Sequence, residues 1–230
     1  MIAASGRRCI LNVLLLTLAN VPSGAQSSDR EVSALLFTGT AWSFPTPLII
    51  HLPGASDARW TARYDTRPFA DAPYYAYRIG AGAGRVTEAE LVHHKLYLAN
   101  ARPPVDWFEV THGYNLVTAN VAPAGDGWRM RFGIGLVIAH PEGIVAGRRV
   151  DRARTRLGGG YHIAGVTTQL AVGRRCPLAS GATALVVAPE AKFTASIARI
   201  PIGADGELIV PNVAVHALAG LGVRRQYGQP

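Results

Sequence analysis

Histidine and carboxylate side chains in the central part of this chain are the residues best suited to acid–base chemistry. His94, His112, His140 and His162 each stand among apolar residues in segments of alternating character, and Glu142 follows His140 closely. Imidazole exchanges protons near neutral pH, so a histidine beside a carboxylate can act as a general base. We predict a catalytic site of His112, His94, His140 and Glu142, with His112 as the base. Glu142 or another histidine would orient it, and neither a metal nor a cofactor is predicted.

The segments that carry these histidines have the two-residue rhythm of β-strands. It is clearest from Arg129 to His140, where apolar side chains alternate with small or charged ones. Side chains alternate across a strand, so one face of such a strand is apolar and the other is polar. Repeated over many strands of an exported protein, this pattern is typical of a barrel with lipid outside and a polar interior.

The amino-terminal residues predict export. Arg7 and Arg8 precede an apolar stretch from Ile10 to Val21, and Ser23–Ala25 is similar to a small-residue cleavage site. We therefore divide the chain into a cleavable signal peptide (1–25), an amino-terminal segment that could contribute extra strands (26–58) and a β-barrel (59–226).

Eight strands are expected, which is the size of a small closed barrel. The candidates are Arg59–Tyr64, Tyr74–Gly80, Glu90–Leu98, Trp107–Val121, Arg129–His140, His162–Gly173, Ala184–Ile200 and Leu208–Val223. Thr40–Leu52 is a further apolar region that would raise the number to ten. The predicted fold is all-β, an antiparallel up-and-down transmembrane barrel, with the long segment from Glu142 to Gly160 on the extracellular side.

If the apolar face of each strand lies against lipid, the polar side chains on the opposite face line the lumen. The predicted lumen contains Glu109, Thr111, Gly113, Asn115, Arg129, Arg131, Gln169, Glu190, Lys192, Thr194, Ser196, Asn212 and His216. Such a lumen is a packed charge network, because an eight-stranded interior is just filled by side chains. The four histidines then face lipid in the extracellular half. There they either belong to an interfacial girdle with Trp107, Tyr114 and Tyr161, or form the site described above.

The formal net charge of +8 raises the question of an anionic partner. Arginine is scattered along the chain rather than concentrated on one helix or interleaved with aromatic residues, so nucleic acid is not predicted. For an exported protein, lipopolysaccharide phosphate is the better match to this charge. The predicted location is the outer membrane of a Gram-negative cell, with lipid or lipopolysaccharide as partner.

In architecture the chain resembles the outer-membrane lipid A deacylases and related acyl hydrolases. Those enzymes are eight-stranded barrels with a His–Ser–acid site on the lipid-facing surface, the histidine and serine two residues apart on one strand. The matching residues here are His112-Gly113-Tyr114-Asn115, so that Tyr114 stands at the serine position and Asn115 corresponds loosely to a following asparagine. The resemblance covers the barrel over most of the mature chain, and it implies an enzyme acting on acyl esters of lipid A.

These observations predict an outer-membrane barrel that contacts lipopolysaccharide through an outward-facing histidine cluster. If the protein is an enzyme, it is a hydrolase or transferase acting on lipid A or an acyl ester. A non-enzymatic structural or adhesin-like barrel that uses the basic loop from Glu142 to Gly160 is the first alternative. A soluble periplasmic ligand-binding barrel, with its apolar residues turned inward, is the second.

Overall fold

A computed structural model describes residues 30–150 and 156–228 of the chain, so the predicted signal peptide lies outside the described residues. The described residues form fourteen β-strands, and they include no helix that is long and apolar enough to cross a membrane. The strands are β1 (Arg30–Phe44), β2 (Thr46–His51), β3 (Ala58–Ala62), β4 (Tyr64–Asp65), β5 (Tyr75–Ala83), β6 (Arg85–Leu98), β7 (Val105–Pro123), β8 (Gly127–Ala139), β9 (Glu142–Val145), β10 (Arg148–Arg149), β11 (Arg156–Gly158), β12 (Tyr161–Pro177), β13 (Thr183–Ile202) and β14 (Gly206–Tyr227).

Eight of these strands close into a ring. Their order is β1, β5, β6, β7, β8, β12, β13 and β14, and every neighbouring pair is antiparallel. The ring is closed by β1 and β14, which pair from Arg30 opposite Tyr227 to Phe44 opposite Val213. The predicted eight-stranded antiparallel barrel is therefore confirmed, and a ten-stranded ring is not formed.

One predicted strand of the ring was wrong. Arg59–Tyr64 corresponds to β3 and β4, and β3 pairs with β2 beyond one end of the ring. The eighth strand is β1, whose run from Val32 to Phe37 is apolar on both faces except for Ser33. A strand with two apolar faces lacks the two-residue rhythm, which is why the sequence pattern did not reveal it.

The two ends of the ring differ. At the short-turn end, tight turns at Gly84, residues 124–126 and residues 178–182 join neighbouring strands, and Arg30 pairs with Tyr227. The opposite, long-loop end carries β2, β3, β4, β9, β10 and β11, which extend the sheet beyond the ring.

Nearer the short-turn end the wall is apolar outside and polar inside, and we call this part the belt half. Its exposed outward side chains include Val32, Leu36, Tyr77, Ile79, Val121, Trp128, Met130, Phe132, Ile134, Leu136, Val166, Leu170, Leu185, Val187, Phe193, Val215, Leu221 and Val223. Inside, Arg78 contacts Glu190 at 2.7 and 2.9 Å and Glu90 at 2.8 Å, while Lys192 also contacts Glu90. The packed charge network predicted for the lumen is confirmed here.

Nearer the long-loop end the polarity of the wall reverses, and we call this part the core half. Its interior is an apolar core that includes Leu48, Ile50, Leu96, Phe108, Val110, Val145, Ile200, Ile202, Leu208 and Val210. Exposed charged side chains in this half include Arg59, Arg63, Asp65, Arg148, Arg149 and Arg199. The rule that apolar faces point outward therefore fails for most of this half, in which Trp107 and Leu157 are exposed exceptions.

Candidate functional site

The predicted site residues separate where the two halves meet. His94 of β6, Tyr114 of β7, Ala139 of β8 and His162 of β12 lie in one register row, and all four are buried. His94 lies in the lumen, where its Nε2 is 3.1 Å from the Asn212 Oδ1 atom. Predicting an outward orientation for His94, His162 and Tyr114 was wrong.

The causes of these errors are local. On β6 the face of His94 is also that of Glu88 and Glu90, both buried in the charge network, so His93 is the outward histidine. On β12 a bulge between Ile163 and Gly165 shifts the alternation, so His162 does not share a face with Val166.

On β7 the faces of two further residues were also predicted incorrectly. Asn115 lies on the outer face, and Glu109 is half-buried and pairs with Glu142 outside the lumen network. The strand has apolar side chains on both faces, with Leu116 buried and Val121 exposed, so hydrophobicity alone selects neither face.

Three of the predicted site residues do come together on the outer surface, and we call His112, His140 and Glu142 the rim cluster. The His112 Nδ1 and His140 Nε2 atoms each lie 3.6 Å from the same Glu142 Oε1 atom. The two imidazole centroids are 5.1 Å apart. Exposure is graded, since the side chain of His112 is 54% exposed, that of Glu142 25% and that of His140 10%.

A bulge in β7 turns His112 outward. Between the pairs Val110–Leu96 and Tyr114–His94, β7 has three residues where β6 has only Lys95. Gly113 within this bulge has a φ of +122°, a conformation that side-chain-bearing residues rarely adopt.

The partner strand is interrupted at the same level. Tyr114 pairs with Ala139 at the end of β8, and Glu109 pairs with Glu142 at the start of β9, so both strands lie beside β7. The His140 backbone N–H donates to the Gly113 carbonyl at 3.1 Å between them. The interruption brings His140 and Glu142 beside His112.

Tyr161 supports the rim cluster from β12. Its hydroxyl donates to the His112 carbonyl at 2.8 Å, and its ring meets the His140 ring edge-on at 4.8 Å. From the sequence, Tyr161 was predicted only as part of an aromatic girdle. Its position directly before the predicted strand His162–Gly173, beside a histidine, was the available signal for a closer role.

An outward-opening groove of about 290 Å³ lies beside the rim cluster, and Tyr161 also lines it. Within it the His93 ring stacks on Tyr75 at 4.7 Å, and the His93 Nδ1 is 2.9 Å from the Asn115 Oδ1. His93 was not among the residues predicted for the site, and Asn115 was predicted to lie in the lumen. A mainly apolar groove therefore lies next to the rim cluster on the outer surface of the barrel.

Hydroxyl groups near His112 bear on the predicted acyl chemistry. Tyr114, which stands at the serine position of the deacylase-like arrangement, points into the barrel and donates its hydroxyl to the Val210 carbonyl at 3.1 Å. The Thr111 hydroxyl lies 3.4 Å from the His112 Nδ1 atom and is buried. The tyrosine therefore lies on the wrong side of the wall to serve His112.

Comparisons with known proteins were made for the whole chain. No family model and no curated protein matches this sequence. Among solved structures, the chain is similar to Neisserial surface protein A, with a TM-score of 0.37 and 10% identity over 86% of this chain and 97% of that chain. It is also similar to outer membrane protein AlkL, solved by solid-state NMR in DMPC lipid bilayers, with a TM-score of 0.41 and 10% identity over 93% of this chain and 96% of that chain. The fold described above rests on the strand pairing of this chain itself.

Proposed function

We propose that this protein is an outer-membrane barrel that crosses the bilayer with its belt half and contacts lipopolysaccharide at the rim cluster. The observation that carries the proposal is the reversal of wall polarity at the level of His112, His140 and Glu142. A surface that changes from apolar to charged along one wall matches the boundary between acyl chains and headgroups.

The height of the belt agrees with a bilayer. On β8 it runs from Trp128 to Ile138, which is ten residue steps. At about 3.3 Å per residue the strand covers about 33 Å, or about 25 Å along the membrane normal at a tilt near 40°. Outer-membrane barrels have an apolar band of about 25 Å.

The exposure of large apolar side chains on the outer face of the belt half argues against a soluble barrel. Ile79, Ile134 and Trp128 are 63%, 60% and 59% exposed. A ligand-binding barrel in water would turn such side chains inward, whereas here the charges are inside. The belt therefore supports lipid as the surrounding medium.

In the proposed orientation the rim cluster lies in the outer leaflet. Outer-membrane barrels have short periplasmic turns and longer extracellular loops, so the long-loop end faces outward. The headgroups at that level belong to lipopolysaccharide, whose phosphates accept hydrogen bonds from imidazole N–H groups. Tyr75 and Tyr161 beside the cluster are the kind of aromatic residues that lie at this boundary.

The test has two parts. First, the protein should fractionate with outer membranes and migrate differently on gels before and after heating. Second, the purified protein should bind lipid A in mixed detergent micelles, and a His112→Ala/Glu142→Gln double variant should bind at least about tenfold more weakly, because a charge-assisted hydrogen bond contributes about 1.5–3 kcal/mol.

His51→Ala is the matched control, since His51 also has a carboxylate neighbour, Asp57 at 2.7 Å, but lies on β2 in the core half. The control should bind lipid A like the unmodified protein. Equal binding by the double variant and the unmodified protein would refute contact at the rim cluster and leave the structural or adhesin-like barrel.

Hydrolysis of an acyl ester of lipid A is the second candidate, favoured by the carboxylate 3.6 Å from the His112 imidazole. His112 would accept a proton from an attacking water and return it to the departing alcohol, so that the ester yields a carboxylic acid and an alcohol. Lipid A mass spectra from cells with and without the protein should then differ by one acyl chain, and His112→Ala should remove the difference. Identical spectra would reject hydrolysis without affecting the binding result.

A further inference from the structure

We propose that the rim cluster binds one divalent transition-metal ion, with Zn²⁺ the best match, through His112, His140 and Glu142. This departs from the expectation drawn from sequence, in which these residues act without a metal. Each residue supplies one ligand atom, and the three atoms lie within 4.8 Å of one another.

The spacing suits a shared ion better than direct hydrogen bonds between the three side chains. Both imidazole nitrogens lie 3.6 Å from the Glu142 Oε1 atom, beyond the usual range of about 2.7–3.2 Å for hydrogen bonds. In a tetrahedral zinc site with bonds of about 2.0–2.1 Å, neighbouring ligand atoms are about 3.3 Å apart. Small side-chain rotations would bring all three atoms to bonding distance from one centre.

The donor set selects the class of ion. Two imidazoles and one carboxylate form the three-ligand set of many catalytic zinc sites, which leaves a fourth position open. Ca²⁺ and Mg²⁺ prefer oxygen ligands, so two nitrogen donors disfavour them. The site is thus matched to Zn²⁺, with Cu²⁺ as a useful spectroscopic substitute.

The surroundings hold the ligands in place. The backbone of Glu142 is held by the pairing of β9 with β7. His112 projects from the β7 bulge, and its carbonyl oxygen accepts a hydrogen bond from the Tyr161 hydroxyl. The Tyr161 ring packs against His140. Such supporting contacts commonly change metal affinity 10- to 100-fold when they are removed.

The open position faces outward. His112 is the most exposed of the three ligands and His140 the most buried, so access is from the His112 side. The fourth ligand is an oxygen of water or, if the proposed function holds, of a headgroup phosphate. Binding of the ion itself does not depend on lipopolysaccharide.

Zinc titration of the full-length protein, folded in detergent and treated with EDTA, tests the proposal without lipopolysaccharide. One Zn²⁺ should bind per chain, and His112→Ala, His140→Ala and Glu142→Gln should each weaken binding at least about tenfold. His51→Ala should bind like the unmodified protein. Heat-dependent gel migration shows that each variant is folded, and His112→Ala is the most informative because this side chain is exposed.

Electron paramagnetic resonance with Cu²⁺ provides a structural readout. The unmodified protein should show coupling to two imidazole nitrogen ligands, and His112→Ala should show one. Zinc binding that is absent, or that survives in a His112→Ala/His140→Ala double variant, would overturn the metal site. Lipid A binding measured with EDTA present separates the two ideas, because loss of zinc binding with retained lipid binding refutes only the metal site.

Discussion

The strands of the ring run through both the belt half and the core half, yet the two halves place apolar side chains on opposite sides of the wall. In the belt half, Phe132 and Ile134 point outward while Glu90 and Arg78 are enclosed. In the core half, Ile200 and Leu208 are enclosed while Arg59 and Arg199 are exposed. The strand period is the same in both halves, so the proposed difference in surrounding medium, lipid or water, accounts for which face is apolar.

The largest effect is expected inside the belt half, from Glu90→Gln. Glu90 is buried and contacts Arg78, Lys192 and Gln169. Removing its charge takes one carboxylate from two buried cations, which then share Glu190 as their remaining close carboxylate. We expect a loss of about 3–5 kcal/mol in the free energy of unfolding, measured by urea denaturation in lipid vesicles.

The matched change is Glu207→Gln, which removes the partner of exposed Arg199 in the core half. A surface pair contributes about 1 kcal/mol or less, so this variant should unfold at nearly the same urea concentration as the unmodified protein. Equal losses in the two variants would show that burial in the lumen does not distinguish the halves.

The next effect concerns the outer wall. Ile134→Arg places a charge in the middle of the apolar belt, where an arginine facing lipid costs about 2–4 kcal/mol. The same substitution at exposed Thr61 of β3 should cost less than about 1 kcal/mol, since water already surrounds that face. Urea denaturation in vesicles compares the two, and similar costs at both positions would contradict a bilayer around the belt half.

The smallest effect is expected at the junction of the halves. A Cβ atom at Gly113 would lie 2.2 Å from the Asn115 side chain, and the φ of +122° is unfavourable for alanine. Gly113→Ala should cost about 1–3 kcal/mol and displace His112.

Zinc titration of the Gly113→Ala variant tests whether the β7 bulge positions His112. We expect affinity to fall with the displaced His112, while Gly125→Ala, at a turn with nothing within 4 Å, should leave zinc affinity unchanged. Unchanged zinc affinity in Gly113→Ala would mean that the bulge does not position the ligand.

The sequence predicted much of the belt half because the outer and inner faces of the wall differ sharply in polarity there. Arg129 and Arg131 alternate with Met130 and Phe132, and this contrast identifies both the strand and its inner face. In the core half, apolar residues face inward, so a rule that sends them outward fails. For β1, apolar side chains on both faces hide the two-residue rhythm, so the sequence offered this segment only as a source of extra strands.

The candidate site was only partly predictable. His112, His140 and Glu142 do meet, as the placement of the histidines on neighbouring strands suggested. The separation of His94 follows from Glu88 and Glu90 on its own strand, which the sequence displays. The outward orientation of His112 was predicted, but the bulge that produces it was not, because local alternation does not reveal where a strand gains extra residues.

In the proposed membrane placement, the reversal of wall polarity also determines how deep the protein sits in the bilayer. A shift of the barrel by one residue pair along the membrane normal would carry a cost in either direction. Outward movement would expose apolar side chains to water, and inward movement would bury arginine side chains in hydrocarbon. Insertion depth is consequently locked by two opposing penalties, and His112 stays at the same distance from the membrane midplane. In a thinner or thicker membrane, the surrounding lipids would stretch or compress to meet the protein, which would itself remain at its level.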